Sequence, residues 1–313
     1  MSIKEKDCTT MKIQNNSSAR AAFQILFAAL LWGTLGVFVT YLRQAGFSTL
    51  QIVFLRASVA TLLLGIYIAV RDRSKFRIKL RDFWIFIGTG LISFTLFTVC
   101  NQISMRLCSL SIAATLLYTS PAFIMIFSAI IFHEKLTLPK LIAIAVTVFG
   151  CFLVSGLLTP GAVISVPGIL AGIASGLCYG LYSIFGRFGV EKYDSLTVTF
   201  YTFLLATAAS VPFADFASMP TVFASADWVL PLVLTFGPVT CLLPYLFYTA
   251  GLAGTEPGTA GILATLEPVV SAVLSVIIFG EAMNWQKVLG IVCILGSVLI
   301  VNLKPQEKAS KSE

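Results

Sequence analysis

The chain has 313 residues, of which 58% are hydrophobic and 11% charged, with a mean hydropathy of +0.93. A soluble domain carries about 25% charge, so this composition excludes a single soluble core. The formal net charge of +7 invites a nucleic-acid reading, which the placement of the charges argues against.

A helical crossing of a bilayer needs about 20 apolar residues. In chain order, the apolar runs predict ten such helices, at 21–41, 49–70, 83–105, 109–132, 138–156, 167–186, 195–213, 228–250, 258–279 and 285–303. The runs are continuous and do not alternate, which excludes membrane β-strands. Residues 1–20 read as a polar tail without a cleavable signal peptide, so the first helix is expected to be its own targeting anchor. Residues 304–313 read as a second polar tail.

Of the lysines and arginines, 17 fall in the two tails, the 71–82 loop and the 4–5 and 6–7 junctions. Only Arg43, Arg106 and Lys287 fall on the other side, and Arg56 lies inside the second helix. That asymmetry fits the positive-inside rule with both termini cytoplasmic in the plasma membrane. The basic run at 71–82 is then an orienting loop and not a nucleic-acid site. Seven cysteines are scattered without a CxxC pair and read as small apolar fillers, so no metal or disulfide role is expected.

The chain repeats itself at an offset of 147 residues. Without a gap, residues 109–134 match 256–281 at 8 of 26 positions, including Pro121/Pro268, Ser128/Ser275, Phe132/Phe279 and Glu134/Glu281. The same offset pairs Gly33 with Gly180, Ser48 with Ser195 and Gly90 with Gly237. A repeat of five helices enters the membrane from the opposite face on its second copy. The expected fold is therefore an all-α membrane protein of ten transmembrane helices, arranged as two inverted five-helix repeats around a central cavity. The copies span 21–156 and 167–303, joined by a Gly/Pro-rich connector at 157–166.

At ALLWGTLGVF (29–38), QIVFLRASVATLLL (51–64), TSPAFIMIFSAIIFHEKLT (119–137) and LEPVVSAVLSVIIFGEAMN (266–284) the chain resembles an EamA-type member of the drug/metabolite transporter superfamily. The resemblance covers about 21–303 and implies a ten-helix basket around a polar cavity. It also implies a peripheral second helix and hairpins turning at Glu134 and Glu281. It leaves the substrate open among amino acids, other small metabolites, amines and drugs.

A charge inside the membrane costs about 2.5–3.5 kcal/mol on insertion scales. Arg56 is either an anion ligand, which its planar fork suits, or a structural cation that bonds helix-end carbonyls or snorkels outward. Glu267, followed by Pro268, either binds a proton or an amine, or serves backbone groups that the proline leaves unpaired. Glu134 and Glu281 read as caps of the helix that follows each turn. Pro121 and Pro268 read as kinks, and Pro231, Gly237-Pro238 and Pro244 as breaks in helix 8, so Pro121, Pro238, Pro244 and Pro268 are the gating candidates. Trp32, Asn101, Gln102, Tyr118, Tyr179, Tyr182, Tyr245 and Tyr248 are the pool for the cavity wall, against the alternative of helix packing or an interfacial belt. Gly168, Gly172, Gly176 and Gly180 make a small-residue stripe for close helix contact.

The chain has one histidine, no GxxxxGK[ST] loop and no cluster of buried cations. Catalytic dyads, ATP-driven pumping and phosphorylated substrates are thereby disfavoured. The expectation is a cofactor-free secondary transporter, not an enzyme, that exports amino acids or related zwitterions. Protons are its candidate coupling ion, the lipid bilayer its surroundings, and a monomer suffices for one path. A lipid-precursor flippase and an amine or drug efflux carrier remain as alternatives.

Overall fold

The structure, a computed structural model, describes residues 3–155 and 165–303. The expected C-terminal tail and most of the 157–166 connector lie outside the described residues. The first helix is already continuous from Ile3, inside the segment read as a tail.

All regular structure among the described residues is helical. Eight helical spans are long and apolar enough to cross a membrane: α1 (Ser18–Gln44), α2 (Thr49–Arg71), α3 (Leu80–Leu107), α4 (Ile112–Ile131), α6 (Val166–Val190), α7 (Ser195–Phe213), α8 (Val229–Leu252) and α9 (Pro257–Phe279). Two shorter apolar helices, α5 (Leu138–Val154) and α10 (Trp285–Val301), complete the expected positions. At 1.5 Å per residue such helices reach about 25 Å, near the lower limit for a crossing. Outward side chains are large and apolar, among them Leu62, Ile66, Ile130, Ile277 and Leu299, as lipid contact requires.

The helices pack as matched pairs. α3 lies along α6 and α1 along α8, while α2 packs on α7 and α5 on α10. α4 packs on α6, and α9 on α1. The glycine stripe of α6 makes close approach possible. A Cβ on Gly176 would stand 2.7 Å from the Leu116 carbonyl oxygen, and one on Gly172 would stand 2.8 Å from Ser104 Oγ.

Polar contacts tie four loops together at one end of the bundle. Lys192 Nζ meets Asp82 Oδ1 at 2.5 Å, and Arg187 Nη1 donates to the Leu252 carbonyl at 2.6 Å. Lys140 pairs with Glu256 and also lies 3.7 Å from Glu134 Oε2. At the opposite end, Gln51 Nε2 donates to the Asp215 carbonyl and to Ser218 Oγ, both at 2.7 Å.

The matched FHE and FGE turns are helix ends. His133, at φ 54°, and Gly280, at φ 68°, occupy equivalent positions 147 apart in the left-handed region, a common way to end a helix. Glu134 N–H then reaches back to the Ser128 carbonyl and Glu281 N–H to the Ser275 carbonyl, both at 3.4 Å. Among the described residues, neither glutamate side chain accepts from a backbone N–H in the first turn of the helix that follows. The Glu281 carboxylate pairs with Lys287 at 2.9 Å, while Asn284 Oδ1 accepts from Lys287 N–H at the start of α10. The Glu134 carboxylate lies between Lys140 of α5 and the start of α9, where a Cβ on Gly258 would stand 2.9 Å from Oε2. The first turn of α5 is left to Thr137, which supplies no side-chain cap.

Candidate functional site

The site is built on two broken helices. Proline has no N–H and clashes with the carbonyl four residues back. In α4, Pro121 therefore frees Leu117, the last residue of the first helical stretch, Leu110–Leu117. In α9, Pro268 likewise frees Ala264, the last residue of Pro257–Ala264. Helix resumes at Ser120 in one case and Leu266 in the other. A threonine stands at each break: Thr119 Oγ1 donates to the Leu116 carbonyl at 2.6 Å and Thr265 Oγ1 to the Ile262 carbonyl at 2.5 Å.

A second pair of interruptions lies in α3 and α8. The i→i+5 pattern of a π-helix runs over Ile87–Leu96 and Pro238–Leu242, a feature frequent at functional sites. Pro238 opens the second of these, and Pro244 follows in the first turn of the regular helix beyond it. Nothing in the α3 sequence announced the first, since that segment has no proline.

Between these interruptions lies a central cavity. Its wall includes Trp32, Tyr118, Tyr179, Tyr182, Tyr245, Tyr248 and Glu267, all expected from sequence. It also includes Ser93, Ser120, Ile124, Ser183, Gly261, Ala264 and Thr265, which were not on the expected wall. The repeat could have found two of them, since Thr265 is 147 positions from Tyr118 and Ser120 is 147 from Glu267. The cavity leaves about 20 Å³ for the centre of a water molecule, room for about one water.

The acid in this wall is Glu267. It lies in the first turn of the helical stretch Leu266–Phe279, where the helix dipole favours a negative charge. Tyr179 Oη donates to Glu267 Oε2 at 3.0 Å. The rest of the wall is aromatic and held rigidly. Trp32 lies edge-on to Tyr245 at 5.1 Å between centroids and tilted to Tyr248 at 5.2 Å. Tyr182 and Tyr248 are fixed by hydroxyl contacts with Thr249 at 2.8 Å and Ser183 at 2.7 Å. A carboxylate beside electron-rich rings suits a cationic group.

The remaining expected residues lie elsewhere. Asn101 is buried towards the end of α3, and Gln102 is half-buried beside it, both outside the cavity wall. Pro121 and Pro268 are buried at the breaks. Arg56 is 7% exposed, with its guanidinium carbon 4.8 Å from the centre of the Phe94 ring. It does not snorkel outward, and no helix-end carbonyl accepts from it among the described residues. α2 is not merely peripheral, because it contributes Val53, Ala57 and Ala60 to the central apolar cluster.

The sequence profile of the EamA-like transporter family matches residues 19–156 and, a second time, 166–303. The chain belongs to this family. The double match of the EamA-like profile falls on the two segments that the internal repeat delimits. Among curated proteins, a relative in Archaeoglobus fulgidus, described as an uncharacterized transporter, is 29% identical over 277 residues, covering 88% of this chain and 94% of the relative. The uncharacterized transporter YxxF of Bacillus subtilis is 22% identical over 95% of this chain and 94% of its own length. The uncharacterized inner membrane transporter YicL of Salmonella typhimurium is 25% identical over 94% of this chain and 98% of its own length. A solved crystal structure superposes with a TM-score of 0.76 at 21% identity, covering 91% of this chain and 97% of that one. The EamA-like chain is thus a multi-pass helical membrane transporter.

Proposed function

We propose that the protein is a secondary-active, alternating-access exporter of amino acids or related zwitterions, built from ten crossings in two inverted repeats. The observation that carries this reading is Glu267. It is an acid at a helix break, held by Tyr179 in the wall of an aromatic-lined cavity. Its roles in the proposal are to hold the ammonium end of the substrate and to exchange it for a proton.

The inverted arrangement is supported by matched geometry. The helix breaks and the left-handed turns of the two halves coincide at the 147-residue offset, and the π-helical segments overlap at it. Such halves can exchange conformations and open a central site to each side in turn. Two ion pairs, Asp82–Lys192 and Lys140–Glu256, lie among the basic loops, which supports a cytoplasmic placement of that end. The description of YicL as an inner membrane transporter supports the inner membrane. Efflux of amines is a second reading, favoured by one fact: Glu267 lines the cavity and Arg56 does not.

The test compares extracellular small molecules from cells that overproduce wild type or Glu267→Gln at matched membrane levels. A zwitterion enriched outside only with wild type is the expected result. Identical profiles, or enrichment of amines alone, would reject zwitterion export through Glu267.

A further inference from the structure

Arg56 poses a chemical problem that the cavity does not solve. Its side chain is more than nine-tenths buried, and Nε has no hydrogen-bond partner. The guanidinium is in no ion pair among the described residues. Its one close neighbour of defined geometry is the Phe94 ring, at 4.8 Å. Buried guanidinium groups are ordinarily paired, because the group carries five donors and cannot shed its proton. The equivalent position in the other half holds Phe203, which packs edge-on against the same Phe94 ring at 5.4 Å. The packing of this layer is thus satisfied by an apolar ring on one side, so a cation is not needed to build it.

A second buried donor without a partner is the residue next to Phe94 in the chain. Ser93, the chain neighbour of Phe94, lines the central cavity, and its Oγ is buried without a partner. Tyr245 lines the same wall, lies 6.0 Å from Phe94 between centroids, and interacts electrostatically with Arg56. Phe94 and Ser93 belong to the π-helical stretch of α3, an irregularity frequent at functional sites. Glu267, the acid of the cavity, is within electrostatic reach of Arg56 without pairing to it.

We propose that Arg56 and Ser93 form a carboxylate-binding subsite one side-chain layer beyond the cavity wall, reached when the Phe94 and Tyr245 rings part. The planar guanidinium accepts a carboxylate through two parallel N–H bonds, and the serine hydroxyl supplies a third donor. The idea rests on the cavity reading for the other end of the substrate, which Glu267 and Tyr179 hold. It turns the choice between amine and zwitterion into a question about Arg56.

The experiment uses the purified full chain and three probes that share one carbon frame: 4-methylpentanoate, isoamylamine and leucine. Each is titrated against thermal unfolding of wild type, Arg56→Gln and Arg56→Lys, since a ligand that binds only the folded state raises its unfolding temperature. In wild type, 4-methylpentanoate and leucine raise it. In Arg56→Gln the rise from 4-methylpentanoate disappears, while that from isoamylamine persists. In Arg56→Lys the apparent affinity for the carboxylates falls roughly tenfold, as loss of the two-pronged geometry requires. Without ligand, Arg56→Gln unfolds close to the wild-type temperature, because only the contact with the Phe94 ring is lost.

Equal protection by 4-methylpentanoate in wild type and Arg56→Gln overturns the subsite, and so does protection of neither. If Arg56→Gln does not accumulate, equal carboxylate affinity in wild type and Arg56→Lys overturns it instead. Failure of isoamylamine alone, with the carboxylate response intact, counts against the Glu267 reading and leaves the subsite standing.

Discussion

Gly33 of α1 lies against Glu267 of α9 so closely that a Cβ on the glycine would stand 3.1 Å from the Glu267 carbonyl oxygen. In the other half, a Cβ on Gly180 would stand 3.2 Å from the carbonyl oxygen of Ser120. Both members of each pair are related by the same 147 positions. The backbone at the two helix breaks is thus held by equivalent glycines, although one break carries an acid and the other a hydroxyl.

The two glycines differ in what else surrounds them. A Cβ on Gly33 would come within 2.4 Å of Val270 Cβ, and one on Gly180 within 3.0 Å of Ile124 Cγ1. Gly33→Ala is therefore expected to destabilise by about 1–3 kcal/mol, the usual cost of overpacking, and Gly180→Ala by less. Thermal unfolding of the two purified variants checks the order. Equal losses would show that α1 moves aside without resistance.

The left-handed turns make the opposite prediction for their two residues. His133 bears the steric cost of φ 54°, whereas Gly280 does not at φ 68°. That cost is about 1–2 kcal/mol for a residue with a Cβ. His133→Gly should raise stability by up to about 1 kcal/mol, after glycine's larger loss of chain entropy. Gly280→Ala should lower it by a similar amount. A chemical-denaturation series on both variants reads these signs, and a destabilised His133→Gly would show that the imidazole makes a compensating contact.

How much of this was legible in the sequence depends on which signal each feature leaves. The breaks in α4 and α9 were legible because Pro121 and Pro268 carry a fixed chemical consequence. Six aromatic wall residues and Glu267 were legible because polar and ring-bearing side chains are conspicuous in apolar helices. Asn101 and Gln102 looked equally conspicuous, but their place towards the end of α3 puts them outside the wall. The π-helical turn around Phe94 left no mark, because backbone register is set there by packing between helices and not by local composition. The glutamates in the hairpin turns misled for a related reason. Each side chain was judged against its neighbours in sequence, while Glu134 finds its surroundings at the start of α9.

Glu134 also predicts a pH dependence. Burial pushes its carboxyl above the ordinary value of 4.5, with Glu256 adding to the rise and Lys140 opposing it. A carboxyl whose folded value is raised holds its proton more tightly when folded, so stability falls as pH rises from 4.5 through the folded value. Glu134→Gln removes that loss. Its unfolding temperature should match wild type near about pH 4 and exceed it near about pH 7. A variant that is less stable at the higher pH would mean that the contact with Lys140 outweighs burial.

Lys140 holds the α4–α5 turn to the loop before α9 through Glu134 and Glu256. Lys140→Met should loosen that end of the bundle and favour the conformation open towards it. The readout is labelling of Ala264→Cys, on the cavity wall, by a membrane-impermeant thiol reagent in a background without the seven native cysteines. Faster labelling from that side alone is expected. Unchanged labelling would show that the ion pairs lie outside the gate.

The four tryptophans of the chain are unequally placed. Trp32 is 7% exposed within the ring cluster, whereas Trp84, Trp228 and Trp285 are 43, 47 and 68% exposed on the outer surface. Replacing those three with phenylalanine would leave a single buried indole touching Tyr245 and Tyr248. Its emission would then be an optical gauge of cavity occupancy, usable before any substrate is radiolabelled.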